Sequence, residues 1–221
     1  MSGSLVLALD TCFGPVSAAL AHLDGRPIAH SIADNTAGQQ AETLPPLVEE
    51  LFKQSGRAYQ DLARVIVTAG PGAFTGVRVG LAFAKGLKIA TKAEVLGVSS
   101  LECLTFQARM QSPGHGAVAI IDAKRSEAYL YAADASGSEI VPPMMLSVPD
   151  ANELLNRKVP SDYVVVGSGR DLIESGIGLR FEPNIVSLDV RELASRAAEL
   201  DSKRHPAAPI YLREPDARLP S

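Results

Sequence analysis

The chain has 221 residues, of which 46% are apolar, 21% charged and 5% aromatic, with no tryptophan. That length buries a substantial core as one large domain or two small lobes, and the composition is that of a globular protein. Twenty-one basic residues against 25 acidic ones leave a net charge of −4, with no basic run denser than Lys124-Arg125 or Lys203-Arg204, which argues against tight, unaided binding to a nucleic-acid backbone.

The first strand is residues 5–9, Leu-Val-Leu-Ala-Leu, ending at Asp10-Thr11. A turn at 13–15 leads to a second strand over 16–23, and Asp24-Gly25 signals a hairpin into a third over 27–33. Residues 34–40 read as a loop. Thr43 is the expected cap of a helix whose first turn tolerates Pro45 and Pro46. Leu44, Leu47, Val48, Leu51 and Phe52 fall on one face of it, and Gly56 ends it. A buried strand over 64–69 runs into Gly70-Pro71-Gly72-Ala73-Phe74-Thr75-Gly76, followed by a helix over 77–91. There Gly80, Ala84 and Gly86 suggest a backbone packed closely against something. A short strand over 95–98 and a helix over 101–110 complete a first lobe of residues 1–111.

Residues 111–116, Gln-Ser-Pro-Gly-His-Gly, read as a boundary. The second lobe, 112–188, opens with a hairpin (117–122 and 127–133) and continues with a strand over 140–148, a helix over 150–157 and a strand over 163–166. Gly167-Ser168-Gly169 is expected to open a helix near Asp171. Asp189 caps a last helix, assigned to 189–205 and expected to pack back on the first lobe, with Val190, Leu193, Ala194, Ala197 and Leu200 on one face. Residues 206–221, with four prolines, read as an extended, mobile tail. Each half opens on antiparallel strands and passes to helix and strand units, a loose echo that suggests a duplicated α/β lobe.

Chemical templates each lack a component. The loop at 70–76 could hold an anion on free N–H groups, with Gly72 and Gly76 as candidate contacts. It ends Gly76-Val77-Arg78, without the lysine of a phosphate-binding loop, and its glycines miss the dinucleotide spacing by one. The structural alternative is that they let the turn close and the helix pack. Asp10, at a strand end, could reach a metal–phosphate group, and Gly167 and Gly169 form a second phosphate-type loop. His22, His30, His115 and His205 form no i, i+4 pair. Cys12 and Cys103 show no CxxC spacing, which suits buried side chains in a reducing compartment. Ser99 and Ser100 lie in no nucleophile elbow. No charged leader precedes the first apolar run and no stretch nears the roughly 20 residues that cross a bilayer, so the expected location is cytoplasmic, with no membrane partner.

Leu7-Ala8-Leu9-Asp10-Thr11, Gln40-Ala41-Glu42-Thr43-Leu44-Pro45, the block from Gly70 to Gly80 and Gly97-Val98-Ser99-Ser100-Leu101-Glu102 resemble the TsaB (YeaZ) family in order and spacing. Ile121-Asp122-Ala123-Lys124-Arg125 and Pro209-Ile210-Tyr211-Leu212-Arg213 look like its later motifs. The resemblance covers nearly the whole chain, and the GPGAFTGVRVG block is its most specific piece. It implies the actin-like, sugar-kinase-like (ASKHA) α/β fold of two lobes, each a mixed sheet flanked by helices.

The resemblance also implies a non-catalytic subunit that binds and activates a TsaD-type catalytic subunit in forming threonylcarbamoyladenosine next to the tRNA anticodon. A TsaE-type ATPase is a further implied partner, self-pairing through the same helices is implied, and tRNA is met only within the complex. Metal and ATP belong to the partner subunits, and none is expected on this chain. Gln40 stands where the family often keeps a histidine. Leu44, Leu47, Leu51, Val77 and Leu81 are the candidate partner-facing residues, unless the same stripe faces this chain's own sheet. Two other readings compete: an ATP-dependent phosphotransferase of the actin-like class using Asp10 and both glycine loops, and a metal-independent peptidase, for which the sequence offers no nucleophile.

Overall fold

A computed structural model describes residues 4–33, 38–174, 179–181, 185 and 187–213. The opening strands are β1 (Leu5–Asp10), β2 (Ser17–His22) and β3 (Pro27–Ile32), paired antiparallel. β4 (Leu62–Thr68) and β5 (Glu94–Val98) add in parallel on the other side of β1, giving the order β3-β2-β1-β4-β5. Every residue of β1 is buried, so this central strand is covered on both faces, as its unbroken apolar run requires. Helices α1 (Gln40–Ser55) and α2 (Phe74–Thr91) pack on each other and on β2 to β5.

The second sheet repeats the plan. β6 (Ala117–Lys124), β7 (Glu127–Ala133) and β8 (Glu139–Ser147) are antiparallel, and β9 (Val164–Val166) and β10 (Arg180–Phe181) add in parallel, in the order β10-β9-β6-β7-β8. β8 tolerates Pro142 and Pro143 because it is an edge strand. α4 (Val148–Lys158) follows it and packs on β7 and β8. α3 (Ser100–Gln111) lies on β6, β7 and β9, while α5 (Val190–Ser195) returns to β1, β2 and β3, and the two helices touch.

The period of two along β6 divides the interior. Ala117, Ala119 and Ile121 join the core of the first sheet, and Val118 and Ile120 join a second core with Leu130, Leu155 and Val165. The two halves are therefore joined through continuous apolar packing under α3.

Several local expectations shift. α1 starts at Gln40, not after Thr43, and the Thr43 amide already donates to the Gln39 carbonyl (3.0 Å). Pro45 and Pro46 thus lie past the free first turn and leave the Ala41 and Glu42 carbonyls without helical partners. Both of those residues are exposed, so water can serve them. α2 starts at Phe74 and takes Gly76 into its first turn. Gly167-Ser168-Gly169 leads only to a 3₁₀ turn over Arg170–Leu172, not to an α-helix. The described part of the tail is held down: the Ile210 amide donates to the Ala69 carbonyl (2.8 Å), and Arg213 pairs with Glu127 and donates to the Ala123 carbonyl (2.9 Å). Residues 34–37, within the expected loop, and 214–221 lie outside the described residues.

Candidate functional site

β1 and β4 end side by side, and there the chain gathers Asp10, Thr11, Cys12, Thr68 and the glycine loop. Asp10 is 1% exposed. Its Oδ1 accepts from the Cys12 amide (3.0 Å), the Phe13 amide (3.2 Å) and the Thr68 hydroxyl (2.6 Å). Burial raises its pKa above the ordinary 3.8, against the lowering effect of Thr68 and the two amides. The carboxylate turns into the fold and ties the turn after β1 to β4.

The glycines next to it serve close packing. A Cβ on Gly72 would collide with the Cys12 carbonyl, and one on Gly76 with the Thr11 carbonyl. The Thr11 hydroxyl donates to the Gly76 carbonyl (2.7 Å), and the Ala73 amide donates to the Cys12 carbonyl (2.8 Å). The structure therefore brings Asp10, Gly72 and Gly76 together as a joint between the β1 turn and α2. The Cys12 thiol donates to Thr68 Oγ1 (3.3 Å) and lies 3.4 Å from Ser100 Oγ. Burial first, then the Asp10 charge, pushes its pKa up to about 12. At neutral pH it is a thiol, not a thiolate nucleophile. The sequence reading missed this Asp10–Thr68–Cys12–Ser100 chain, because nothing in its spacing announces it.

Gly167 and Gly169 sit at the matching end of the second sheet. Gly167 has φ +101° and would drive a Cβ into the Ile120 carbonyl, and the Gly169 amide donates to that same carbonyl (2.9 Å). These glycines also hold a loop against a strand. Asp122, two residues before the end of β6, keeps a more open carboxylate, and hydrogen bonds from Lys124 hold its pKa below the usual range. Gln40 is 9% exposed, and its Oε1 has no hydrogen-bond partner among the described residues. No group of three or more His, Cys, Asp or Glu among the described residues is placed to hold a metal ion. No described helix is long and apolar enough to cross a membrane.

The expected partner-facing stripe faces inward. Leu44, Leu51, Val77 and Leu81 are 0–3% exposed in the chain's own core, and Leu47 is half-buried against it. One helix face cannot serve both core and partner. The outward face of α2 instead carries Phe74, Thr75, Arg78, Ala82, Lys85, Gly86, Lys88 and Ile89, with Ile89 86% exposed. Arg78 covers the Phe74 ring at 3.7 Å, and Tyr211 lies 5.5 Å from that ring. Gly80 and Ala84 belong to the buried side: a Cβ on Gly80 would crowd Thr11 and Val67, and Ala84 is fully buried. A Cβ on Gly86 would meet nothing within 4 Å.

Comparison with known proteins agrees with this architecture. A family model described as "TsaD: tRNA N6-adenosine threonylcarbamoyltransferase" matches residues 33–188. The tRNA threonylcarbamoyladenosine biosynthesis protein TsaB of Bacillus subtilis is 31% identical, over 96% of this chain and 95% of that protein. The TsaB of Escherichia coli is 32% identical over 124 residues, which is 56% of this chain and about half (52%) of that protein's length. YeaZ from Pseudomonas aeruginosa superposes with a TM-score of 0.74 at 24% identity, over 95% of this chain and 100% of that one, and so shares the fold. The paired five-stranded sheets are the actin-like, sugar-kinase-like α/β arrangement. With a full-length relative above 30% identity and a family model over most of its length, the chain belongs to the TsaB (YeaZ) family.

Proposed function

We propose that this chain is a non-catalytic subunit that docks onto a TsaD-type catalytic subunit and holds it in the state that transfers threonylcarbamoyl to the tRNA adenosine beside the anticodon. Family membership supports the pathway, since the B. subtilis and E. coli relatives are named for threonylcarbamoyladenosine biosynthesis. The observation that carries the docking role is the outward face of α2. A mid-helix glycine costs about 0.5–1 kcal/mol relative to alanine. Among the described residues Gly86 has no neighbour that requires it. Ala82 lies one turn away and the exposed Ile89 three residues on. Together they form a shallow strip of small and apolar residues, bordered by the exposed Lys85 and Lys88, on which a partner helix can approach closely. A subunit that binds the competent state selectively raises its population by the ratio of its affinities for the two states.

The interior of the β1–β4 joint supports the non-catalytic part. Asp10 and the Cys12 thiol are both buried and hydrogen-bonded within the fold. ATP and metal then belong to the partner subunits, a TsaE-type ATPase completes the set, and self-pairing uses the same strip. The net charge of −4 fits a chain that meets tRNA only within the complex.

The test is binding of the TsaD-type subunit from the same cell to wild type, Gly86→Trp and Ile89→Asp, read by calorimetry, with a tRNA modification assay beside it. Removing a central interface contact costs about 2 kcal/mol or more, roughly thirtyfold in affinity. Both variants should keep their melting temperatures and lose at least that much. Undiminished binding by both, or full transferase activity with the chain omitted, refutes the proposal.

A further inference from the structure

From His205 to Arg213 the chain runs as a strap along β5, past the end of β4 and on to the second sheet. The Gly97 amide donates to the His205 carbonyl (3.1 Å), the Ile210 amide donates to the Ala69 carbonyl (2.8 Å), and Arg213 reaches the Ala123 carbonyl and Glu127. Tyr211 lies between these last two ties and is 51% exposed. Its ring is 5.5 Å from that of Phe74, the first residue of α2, itself 54% exposed. Arg78 covers the Phe74 ring at 3.7 Å and donates its Nε–H to the Tyr211 hydroxyl (3.4 Å). We propose that Phe74, Arg78 and Tyr211 anchor the docking surface, which thus runs from α2 onto the strap, and that the surface it meets on the TsaD-type subunit is acidic. This inference rests on the docking role proposed above.

Two half-exposed aromatic rings in contact with a guanidinium are the side-chain types that carry most binding energy at protein interfaces. They lose little freedom on docking, because the backbone is tied on either side of Tyr211 and its ring already rests against Phe74 and Arg78. At 100° per residue, Phe74, Arg78, Lys85 and Ile89 fall within about 60° around the helix, so the anchor shares its face with the strip of Ala82, Gly86 and Ile89. From Phe74 to Ile89 that face is about 22 Å long, room for a partner helix of about four turns.

Charge specifies the partner. Although the chain has a net charge of −4, α2 and its C-cap carry Arg78, Lys85, Lys88 and Lys92, all exposed, and no acidic residue. The neighbouring helix α1 carries the exposed Glu42, Glu49 and Glu50 with Lys53. No ion pair joins the two sets among the described residues. The helix layer is therefore acidic along α1 and basic along α2, and a partner surface carrying carboxylates along α2 complements it and speeds encounter.

The experiment measures equilibrium and kinetic binding of the TsaD-type subunit from the same cell to the full chain as wild type, Tyr211→Ala, Tyr211→Phe, Gly86→Trp and the double variant Lys85→Gln with Lys88→Gln. Tyr211→Ala should lose roughly thirtyfold in affinity or more, with a ligand-free melting temperature within about 2 °C of wild type, as for other exposed side chains. Tyr211→Phe keeps the ring and should retain most of the affinity. The double lysine variant should associate about tenfold more slowly at low salt, and its affinity should fall less steeply than that of wild type as salt rises. If Gly86→Trp loses binding while Tyr211→Ala keeps it, the anchor is refuted and the docking role stands; if wild type does not bind the subunit, both fall. Wild-type binding indifferent to salt refutes the acidic partner surface. A Tyr211-dependent affinity for tRNA with none for the subunit assigns the face to nucleic acid and overturns the proposal.

Discussion

Asp10 offers the sharpest test of whether the β1–β4 joint is structural. Its Oδ1 accepts three hydrogen bonds, from the Cys12 and Phe13 amides and the Thr68 hydroxyl, inside a fully buried site. Asp10→Ala deletes all three acceptor contacts and leaves the two amides and the Thr68 hydroxyl proton without their acceptor, since Thr68 accepts in its contact with the Cys12 thiol. At about 1 kcal/mol per bond the loss is about 3 kcal/mol, a fall of roughly 6–12 °C in melting temperature for a chain of this length. Asp10→Asn keeps an acceptor oxygen in place and removes the buried charge, so at pH 7 it should match or exceed the wild type. Because the folded-state pKa of Asp10 is raised, with desolvation as its largest cause, the stabilising contribution of its protonated form is fully present below the ordinary 3.8. It is lost as pH rises through the folded value. Urea denaturation of wild type and Asp10→Asn from pH 4 to 8 should therefore show the variant gaining on the wild type as pH rises. An Asp10→Ala protein as stable as wild type, or a wild-type advantage that grows with pH, refutes the internal role.

Two glycine substitutions should move stability in opposite directions in the same denaturation assay. Gly76→Ala should destabilise by about 1–3 kcal/mol through overpacking, since its Cβ would run into the Thr11 backbone. Gly86→Ala, in open space, should stabilise by about 0.5–1 kcal/mol. Neither thiol should react with a disulfide reagent at pH 8 in the folded protein, because burial holds Cys12 up at about 12 and Cys103 well above 9.0; two thiols per chain should appear on denaturation. Leu44→Ala should cost about 2–5 kcal/mol, and Ile89→Ala, 86% exposed, should stay within about 0.5 kcal/mol of wild type.

The periodic parts of the fold were legible in the sequence. The opening three strands, the helices after Gly76 and Ser99 and the 117–133 hairpin declare themselves through apolar period and turn chemistry, and the echo between halves becomes two sheets of one strand order. Start points were less legible where side chains compete. Prolines at 45 and 46 argued for a late start to α1, but burial of Gln40 and Leu44 draws the helix back a full turn. The glycine loops read equally as anion cradles or as packing devices, since φ and clearance depend on what lies opposite. Only the Thr11, Cys12 and Ile120 carbonyls decide it. The inward turn of Leu44, Leu51, Val77 and Leu81 has a related reason: an apolar stripe marks the buried side of a helix, whereas the outward Ala82, Gly86 and Ile89 leave almost no periodic signal.

The duplicated plan makes one contrast informative. Asp10 closes β1 and Asp122 lies two residues before the end of β6, and the loops that follow their parallel neighbours β4 and β9 carry Gly70 and Gly167, which share φ +101°. Yet their environments push in opposite directions. Asp10 is buried and its pKa is raised by desolvation, whereas the Asp122 side chain is 28% exposed and its pKa is lowered by Lys124. A strand-end carboxylate can serve a bound cation only if its charge is stable and an oxygen faces outward. In the first half that condition is given up in favour of a tight joint between β1, β4 and α2. The same joint ties the start of α2 to the turn after β1, and α2 is the helix whose outer face carries the proposed docking strip. Burial of Asp10 therefore works against a catalytic role at the joint and in favour of a firm contact surface above it, so that loosening the joint with Asp10→Ala should weaken partner binding even though the substituted atom lies wholly inside the chain.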